Sequence, residues 1–252
     1  IRDVALEDPS GTVTGLVMVY ADGFVAADRA TEALKVTWKP GPGANVSEAD
    51  LQARARALIA DRSAGGLAVE DPGVDAALAA AKTTVERTYT TATALHFQLE
   101  PVNAIAFEKD GVFEIHTGNQ WQSLVLPWLA KALGRKEETI VLRTHLLGGG
   151  FGRRLNGDYA VAAALASKAI GGKPVKVVWT RADDSRFDSP RSPTVQVVKA
   201  ALDGGRVTAM EHACCAGWPT QAMAPFFMPK GANGVAYDPF AINGANHWYN
   251  VG

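Results

Sequence analysis

Gly148-Gly149-Gly150-Phe151-Gly152 lies between a strand-like run and a helix-like run and is the stretch best suited to chemistry. Glycine tolerates positive φ and lets backbone N–H groups approach a ligand with no Cβ in the way. A helix that starts just beyond adds the positive end of its dipole, which suits an anion. Arg153 and Arg154 follow at once. Each carries a planar fork able to pair a phosphate through two bonds. Two familiar nucleotide loops are excluded. Counting from Gly148 and Gly150, the sixth position is Arg153 and not glycine, and no Gly-Lys-Ser/Thr follows. Spacing alone leaves two readings open, an anion cradle and a plain tight turn.

Two further stretches carry chemically capable side chains. His96 and Glu100 lie four apart in His96-Phe97-Gln98-Leu99-Glu100-Pro101, a spacing that on a helix would let them share a metal. Pro101 disfavours helix at Glu100, so an extended segment with a hydrogen-bonded structural histidine is the simpler expectation. No second histidine stands at ligand spacing, so no zinc hydrolase site and no metal ligands are assigned. Thr117-Gly118-Asn119-Gln120-Trp121-Gln122-Ser123 sits at a strand-to-helix junction. Gln120 has a donor and an acceptor and can hydrogen-bond an oxo group or a carbonyl; the alternative is a helix cap with a buried Trp. No Gly-x-Ser-x-Gly elbow is present. Cys214 and Cys215 are adjacent and alone, which rules out a disulfide scaffold and a spaced thiolate site and leaves two small residues in a strand.

The elements that must position these residues can be read from periodicity. Gly15–Tyr20, a helix over Phe24–Leu34 and Val36-Thr37-Trp38 read as a β–α–β unit that stops at Pro40-Gly41-Pro42-Gly43. Ser47 with Asp50 resembles a capping box opening a second helix. Val74–Ala81 reads as a short helix and Thr83–Thr91 as an edge or half-exposed strand. Ala104–Glu108 and Val112–His116 flank Lys109-Asp110-Gly111, a hairpin signal. Trp121–Leu133 is a helix stopped by Gly134, and Thr139–Leu147 is a strand. Asn156 is expected to cap a helix over Asp158–Ile170, followed by a strand over Val175–Trp179. Thr194–Ala201 and Arg206–Ala213 form another hairpin. Gly217–Gly252 has large aromatics, weak periodicity and no scaffold of its own, so it is expected to pack on other protein.

Composition sets the class. The 252 residues are 47% hydrophobic and 20% charged, an ordinary globular balance. A net charge of −1 argues against a nucleic-acid binder, which needs a basic excess. The apolar run Ala160–Ala166 falls far short of the ~20 residues that span a bilayer. Ile1-Arg2-Asp3-Val4 lacks Met and an apolar leader, so the chain reads as a processed protein or an excised piece.

Three motifs, in this order, resemble the molybdenum hydroxylase family of xanthine dehydrogenases and aldehyde oxidases. They are His96–Pro101, then Thr117–Gln120 ahead of a helix ending Ala132-Leu133-Gly134, then Gly148–Gly152. The last, followed by Arg153-Arg154-Leu155, and the stretch Pro174–Asp184 are similar to the isoquinoline 1-oxidoreductase β-subunit branch. The resemblance implies an α+β fold. Residues 1–40 would be the end of a small α/β hammerhead domain and 41–72 a linker with one helix. Residues 73–252 would be the first part of the molybdenum-cofactor-binding region, with mixed sheets and flanking helices. It further implies hydroxylation of N-heterocyclic aromatics or aldehydes with water-derived oxygen. The implied cofactor is molybdenum–molybdopterin, expected in the cytosine dinucleotide form. A 2Fe–2S small subunit, and in this branch a cytochrome c subunit, would take the electrons, in a bacterial periplasm. Gln120 falls where the family hydrogen-bonds the apical oxo ligand, and Phe151 lies beside the metal as the second candidate catalytic position. Gly149, Gly150, Phe151, Gly152, Arg153 and Arg154 are the candidate cofactor-binding residues. Purine-oxidising members carry a substrate-binding Glu where this chain has Leu155, which argues against purines. The family's general-base Glu lies further along a longer chain, so the 252 residues alone are expected to be inactive and without the cofactor. The alternatives from other classes are a non-catalytic scaffold and a phosphate- or nucleotide-binding module built on Gly148–Gly152.

Overall fold

The structure, a computed structural model, describes residues 2–6, 8, 10, 11, 13 and 16–245. In chain order the strands and α-helices are β1 (Arg2–Leu6), β2 (Leu16–Tyr20), α1 (Phe24–Ala33), α2 (Glu48–Ala60), α3 (Val74–Ala80), β3 (Thr83–Thr91), β4 (Asn103–Lys109), β5 (Val112–Thr117), α4 (Gln122–Leu133), β6 (Ile140–Thr144), α5 (Asp158–Ala169), β7 (Val175–Val178), α6 (Arg181–Arg186), β8 (Thr194–Asp203), β9 (Arg206–Cys215) and α7 (Pro219–Met223). The mixture of helices with separate sheets is the expected α+β class. The chain divides into two units, residues 1–41 with 95–189 and residues 42–94 with 190–252.

The first unit is built on a four-stranded sheet of order β6-β5-β4-β7. β4 and β5 form a hairpin because Asp110 and Gly111 both take positive φ, 51° and 78°, as the tight primed turn requires. β6 lies parallel to β5, which demands a crossover, and α4 supplies it. α4 ends at Gly134 in the left-handed region, with the Arg135 N–H reaching back to the Ala130 carbonyl. α5 is buried on every side from Tyr159 to Ser167. Its run of alanines lets it lie close against β4 and α4, and a helix apolar all round belongs inside a core. Ile115, Phe113, Val125 and Leu129 complete that core. Fully burying one such side chain is worth about 1.5–3 kcal/mol. Tyr20 of β2 packs against the same core and donates its hydroxyl to the Ala166 carbonyl at 3.0 Å.

Three local expectations are corrected. Val36-Thr37-Trp38 is not a strand. β2 pairs with β1, antiparallel, and Val36 and Trp38 are exposed and pair with no strand among the described residues. Asn156 does not cap α5. Gly157 does, at φ 67°, and a Cβ there would meet Val125 at 2.6 Å, while the Asn156 amide turns to Ser189. β6 is also shorter than expected, with a 3₁₀ turn at Glu137–Thr139 and an end at Thr144.

The second unit holds the antiparallel sheet β3-β8-β9 with α2 and α3 against it, around Leu78, Ala201 and Ala209. The Ser47–Asp50 capping box of α2 is present, and β3 is an edge strand. Cys214 and Cys215 lie half-buried in β9, and burial pushes both thiols up. Residues 217–245 fold back within this unit instead of lacking a scaffold. Buried Asp238 accepts the N–H and hydroxyl of Thr220, and the Ala232 N–H donates to the Leu67 carbonyl. Phe226 and Phe240 remain exposed, and Trp248 and Tyr249 lie outside the described residues.

Candidate functional site

The three motifs singled out in the sequence meet in the first unit. The Glu100 N–H donates to the Gly148 carbonyl, and the Gln120 N–H donates to the Arg154 carbonyl, both at 3.1 Å. The glycine run is therefore stitched on one side to His96–Pro101 and on the other to Thr117–Gln120.

Gln120 is fixed through one end of its amide. Its Oε1 accepts the Gly152 N–H at 3.1 Å and the Arg154 N–H at 3.2 Å. Its Nε2 has no acceptor among the described residues, and the residue is exposed. Both neighbours are donors, so the acceptor end must face them and the N–H₂ end must face out. Gly150 leaves room for this arrangement, since a Cβ there would lie 2.5 Å from Oε1. The N–H groups of Gly149 and Gly150 also donate to nothing among the described residues.

Arg153 and Arg154 do not present the phosphate fork expected of them. Both are fully buried. Arg153 grips Asp158 through two bonds, at 2.7 and 2.9 Å, and its guanidinium lies over the rings of Trp179 and Tyr159. Burial pushes its pKa down, but Asp158, Asp188 and Asp184 more than offset that and hold it above the ordinary arginine value. Arg154 donates to the Gly149 carbonyl at 2.9 Å, the Glu100 carbonyl at 3.0 Å and the Glu100 carboxylate at 2.6 Å. The two arginines brace the loop from beneath.

His96 and Glu100 do not share a ligand position. His96 Nδ1 pairs with Asp188 at 2.8 Å, and its Nε2 would stand 3.3 Å from a Cβ on Gly152. Glu100 accepts the Gly148 N–H, Asn103 and Arg154. Burial would raise its carboxyl, yet these bonds outweigh it and hold the group below the usual range. Phe97 and Phe151 both sit at positive φ, 47° and 52°, and both are 62% exposed. For a bulky side chain that backbone is costly and marks a site held by its surroundings.

Sequence reasoning missed the supporting residues. Buried Asn119 donates to the Arg154 carbonyl at 2.9 Å, and the Tyr159 hydroxyl donates to the Gly118 carbonyl at 2.9 Å. Burial pushes the Tyr159 phenol up to about 12. Asp184 receives the Gln98 amide, while Gln98 Oε1 is buried with no donor. The signal available for the acidic partners was the Arg153-Arg154 pair, because two buried guanidiniums require carboxylates.

The molybdopterin cofactor-binding domain family matches residues 60–244. The chain belongs to the molybdopterin-binding hydroxylase family. Over 253 aligned positions it is 56% identical to a protein of Gluconacetobacter polyoxogenes named membrane-bound aldehyde dehydrogenase [pyrroloquinoline-quinone]. That match covers all of this chain and 33% of the relative, so the chain spans about a third of that relative's length. It is 34% identical to isoquinoline 1-oxidoreductase subunit beta of Brevundimonas diminuta, over 51% of this chain and 17% of that protein. The crystal structure of quinoline 2-oxidoreductase from Pseudomonas putida 86 shares the fold with a TM-score of 0.60. At 21% identity it covers 81% of this chain and 28% of that one.

The free groups of the loop fit a molybdopterin-bound metal. They are donors, the Gln120 Nε2 and the Gly149 and Gly150 N–H groups, where such a metal presents oxygen and sulfur acceptors. Added side chains would close the cradle, since a Cβ on Gly150 would strike Gln120 and one on Gly149 would touch Phe151 at 3.0 Å.

Proposed function

We propose that the chain is the cofactor-cradling part of a molybdopterin-dependent hydroxylase large subunit that oxidises aldehydes or N-heterocyclic aromatics. The observation that carries this is the Gln120 carboxamide, locked by its oxygen so that its N–H₂ group faces outward. When bound, the molybdenum centre would supply water-derived oxygen and a two-electron acceptor. Gln120 would donate to an oxygen ligand of that centre, and the Gly149 and Gly150 N–H groups would line its other side. Phe151 would wall the site beside them. Arg153, Arg154 and Gly152 would keep the loop in register and would not touch the ligand. Such preorganised donors need no reorganisation as charge develops.

Identity of 56% along the whole chain favours aldehydes over heteroaromatics. Residues 1–40 would be the end of a hammerhead-like domain, 41–72 a linker and 73–252 the first part of the molybdopterin-binding domain. The pterin would take the cytosine dinucleotide form, and a 2Fe–2S subunit, with a cytochrome c subunit, would carry electrons away in the periplasm. No helix among the described residues is long and apolar enough to cross a membrane. The 252 residues by themselves would be catalytically silent. Glu100, the carboxylate beside the loop, is tied on both oxygens and held below its usual pKa, which makes it a poor base.

The relative's name raises pyrroloquinoline quinone as a second reading. The test is cofactor analysis of the purified holoenzyme, by metal content and pterin and quinone assays, alongside oxidation of an aldehyde and of isoquinoline with an artificial acceptor. Stoichiometric molybdenum with aldehyde turnover supports the proposal. Turnover that follows quinone content with no molybdenum overturns it.

A further inference from the structure

Two imidazoles face each other where β5 and β6 end. The strands run parallel, with Thr117 opposite Thr144, and the His145 N–H extends the ladder by donating to the Thr117 carbonyl at 3.0 Å. His116 Nδ1 lies 3.1 Å from His145 Nε2, and the rings stack with centroids 5.3 Å apart. Phe107 packs against the His116 ring at 5.6 Å.

The other nitrogen of His116 is committed. Its Nε2 faces Glu114 Oε2 at 3.3 Å, and Arg143 Nε donates to that same oxygen at 2.8 Å. In the tautomer that donates from His116 Nε2 to the Glu114 carboxylate, Nδ1 presents its lone pair toward His145. His145 Nδ1 has no partner among the described residues and can hold its own proton, which leaves Nε2 as a second lone pair. Two lone pairs at 3.1 Å repel unless a proton or a cation lies between them.

We propose that His116 and His145 form a two-histidine site for a divalent transition-metal ion, Zn²⁺ or Cu²⁺, that ties the end of β5 to the end of β6. With metal–nitrogen bonds of about 2.05 Å, a separation of 3.1 Å gives a bite angle of about 98°. That lies between the octahedral and tetrahedral values. Glu114 orients His116 from behind, the carboxylate–histidine arrangement that ligating histidines ordinarily have. Among the described residues no group of three or more His, Cys, Asp or Glu could hold a metal, so water completes the coordination and the ion exchanges. Both rings are accessible, His116 at 27% side-chain exposure and His145 exposed. β5 runs on into Thr117–Gln120, and β6 runs on through Leu146 into Gly148–Gly152. An ion here would tether the two segments that carry Gln120 and the glycine loop, which makes the site a regulatory one.

The test uses the full chain, with Zn²⁺ titrated by calorimetry and Cu²⁺ followed by electron paramagnetic resonance. One ion per chain is expected, with two nitrogens coupled to copper. His116→Gln and His145→Gln should each weaken binding at least tenfold. Glu114→Gln, which keeps both ligands, should weaken it about tenfold. Zn²⁺ should also slow amide exchange in residues 117–121 and 146–152 and protect both imidazoles from acylation by diethyl pyrocarbonate, a readout that needs no variant. Equal affinity in wild type and both histidine variants, or no protection of the two rings, overturns the site. Binding without slowed exchange overturns the tether.

Discussion

The Gly152 N–H donates to the Gln120 carboxamide oxygen at 3.1 Å, and this single bond decides which end of the amide the site presents. The Arg154 N–H makes the same demand at 3.2 Å. A glutamine can present either end, but two backbone donors on one side leave it no choice. The loop thus does two things with the same residues. It exposes its own free N–H groups at Gly149 and Gly150, and it turns a neighbouring side chain into a third donor.

Gln120→Ala in the holoenzyme should lower turnover by about 10²–10³, the usual cost of one preorganised donor. Gln120→Glu separates the two roles. Its carboxylate still accepts from Gly152 and Arg154, so the loop should keep its place, but no donor faces out and turnover should fall as far. Gln122→Ala should do much less, because the Gln122 amide is spent on Thr144 at 2.7 Å. The measurement is steady-state kinetics with molybdenum content. Similar small effects from Gln120→Ala and Gln122→Ala would sink the role given to Gln120. Loss of molybdenum in Gln120→Ala would make that role one of cofactor retention.

Gly150→Ala should damage the site through crowding. The added methyl would lie 2.5 Å from Gln120 Oε1, so the carboxamide must leave its two donors. Gly148→Ala meets Glu100 Cβ at 2.6 Å instead and presses on the other seam. We expect Gly150→Ala to lower cofactor content and turnover together while the circular dichroism of the chain is unchanged. Wild-type turnover in Gly150→Ala would show that Gln120 is free to sit elsewhere.

Glu100 gives the first unit an acid limit. Its carboxyl is held below the ordinary value, so the stability it contributes is fully present above the unfolded-state pKa of about 4.3 and is lost as pH falls through the lower folded-state value. Urea unfolding of wild type and Glu100→Gln should therefore differ most at neutral pH and converge on acidification below about pH 4.3. A difference that stays constant down to pH 3 would show that the charge on Glu100 adds nothing to stability.

Much of the frame was legible in the residues. Thr83–Thr91 was bounded correctly, and the Asp110-Gly111 and Gly204-Gly205 turns were placed correctly, because these signals are local: period-two alternation and glycines at positive φ. What was not legible depends on partners distant in sequence. Val36–Trp38 has a strand's composition, but no strand among the described residues pairs with it. Asn156 is a good cap by type, yet Val125 across the core admits only glycine at the next position. The candidate site divides along the same line. Gln120 and the glycine run were visible because their chemistry is written in their own types. The direction of the arginines was not, because it is set by Asp158, Asp188 and Glu100.

Arg153 provides the sharpest test of that last point. A guanidinium that clamps a cofactor phosphate would, when removed, cost cofactor and leave the cofactor-free chain as stable as before. The geometry demands the opposite. Arg153 is fully buried, bonded twice to Asp158 and lying over Trp179 and Tyr159, with its Nε 3.3 Å from Asp188. Removing one partner of a buried ion pair leaves the other charge uncompensated and costs about 3–5 kcal/mol. Arg153→Met should therefore destabilise the cofactor-free chain by about that much, measured by urea unfolding. Arg153→Lys keeps the charge but loses the two-bond fork, so it should recover only part of the loss. Asp188 would also be released, and with it the His96 ring that stands against Gly152. The loop should loosen even with no cofactor bound, as faster amide exchange at 149–152 would report. A stable Arg153→Met chain that fails only to retain cofactor would return Arg153 to the phosphate-binding role that its sequence position first suggested.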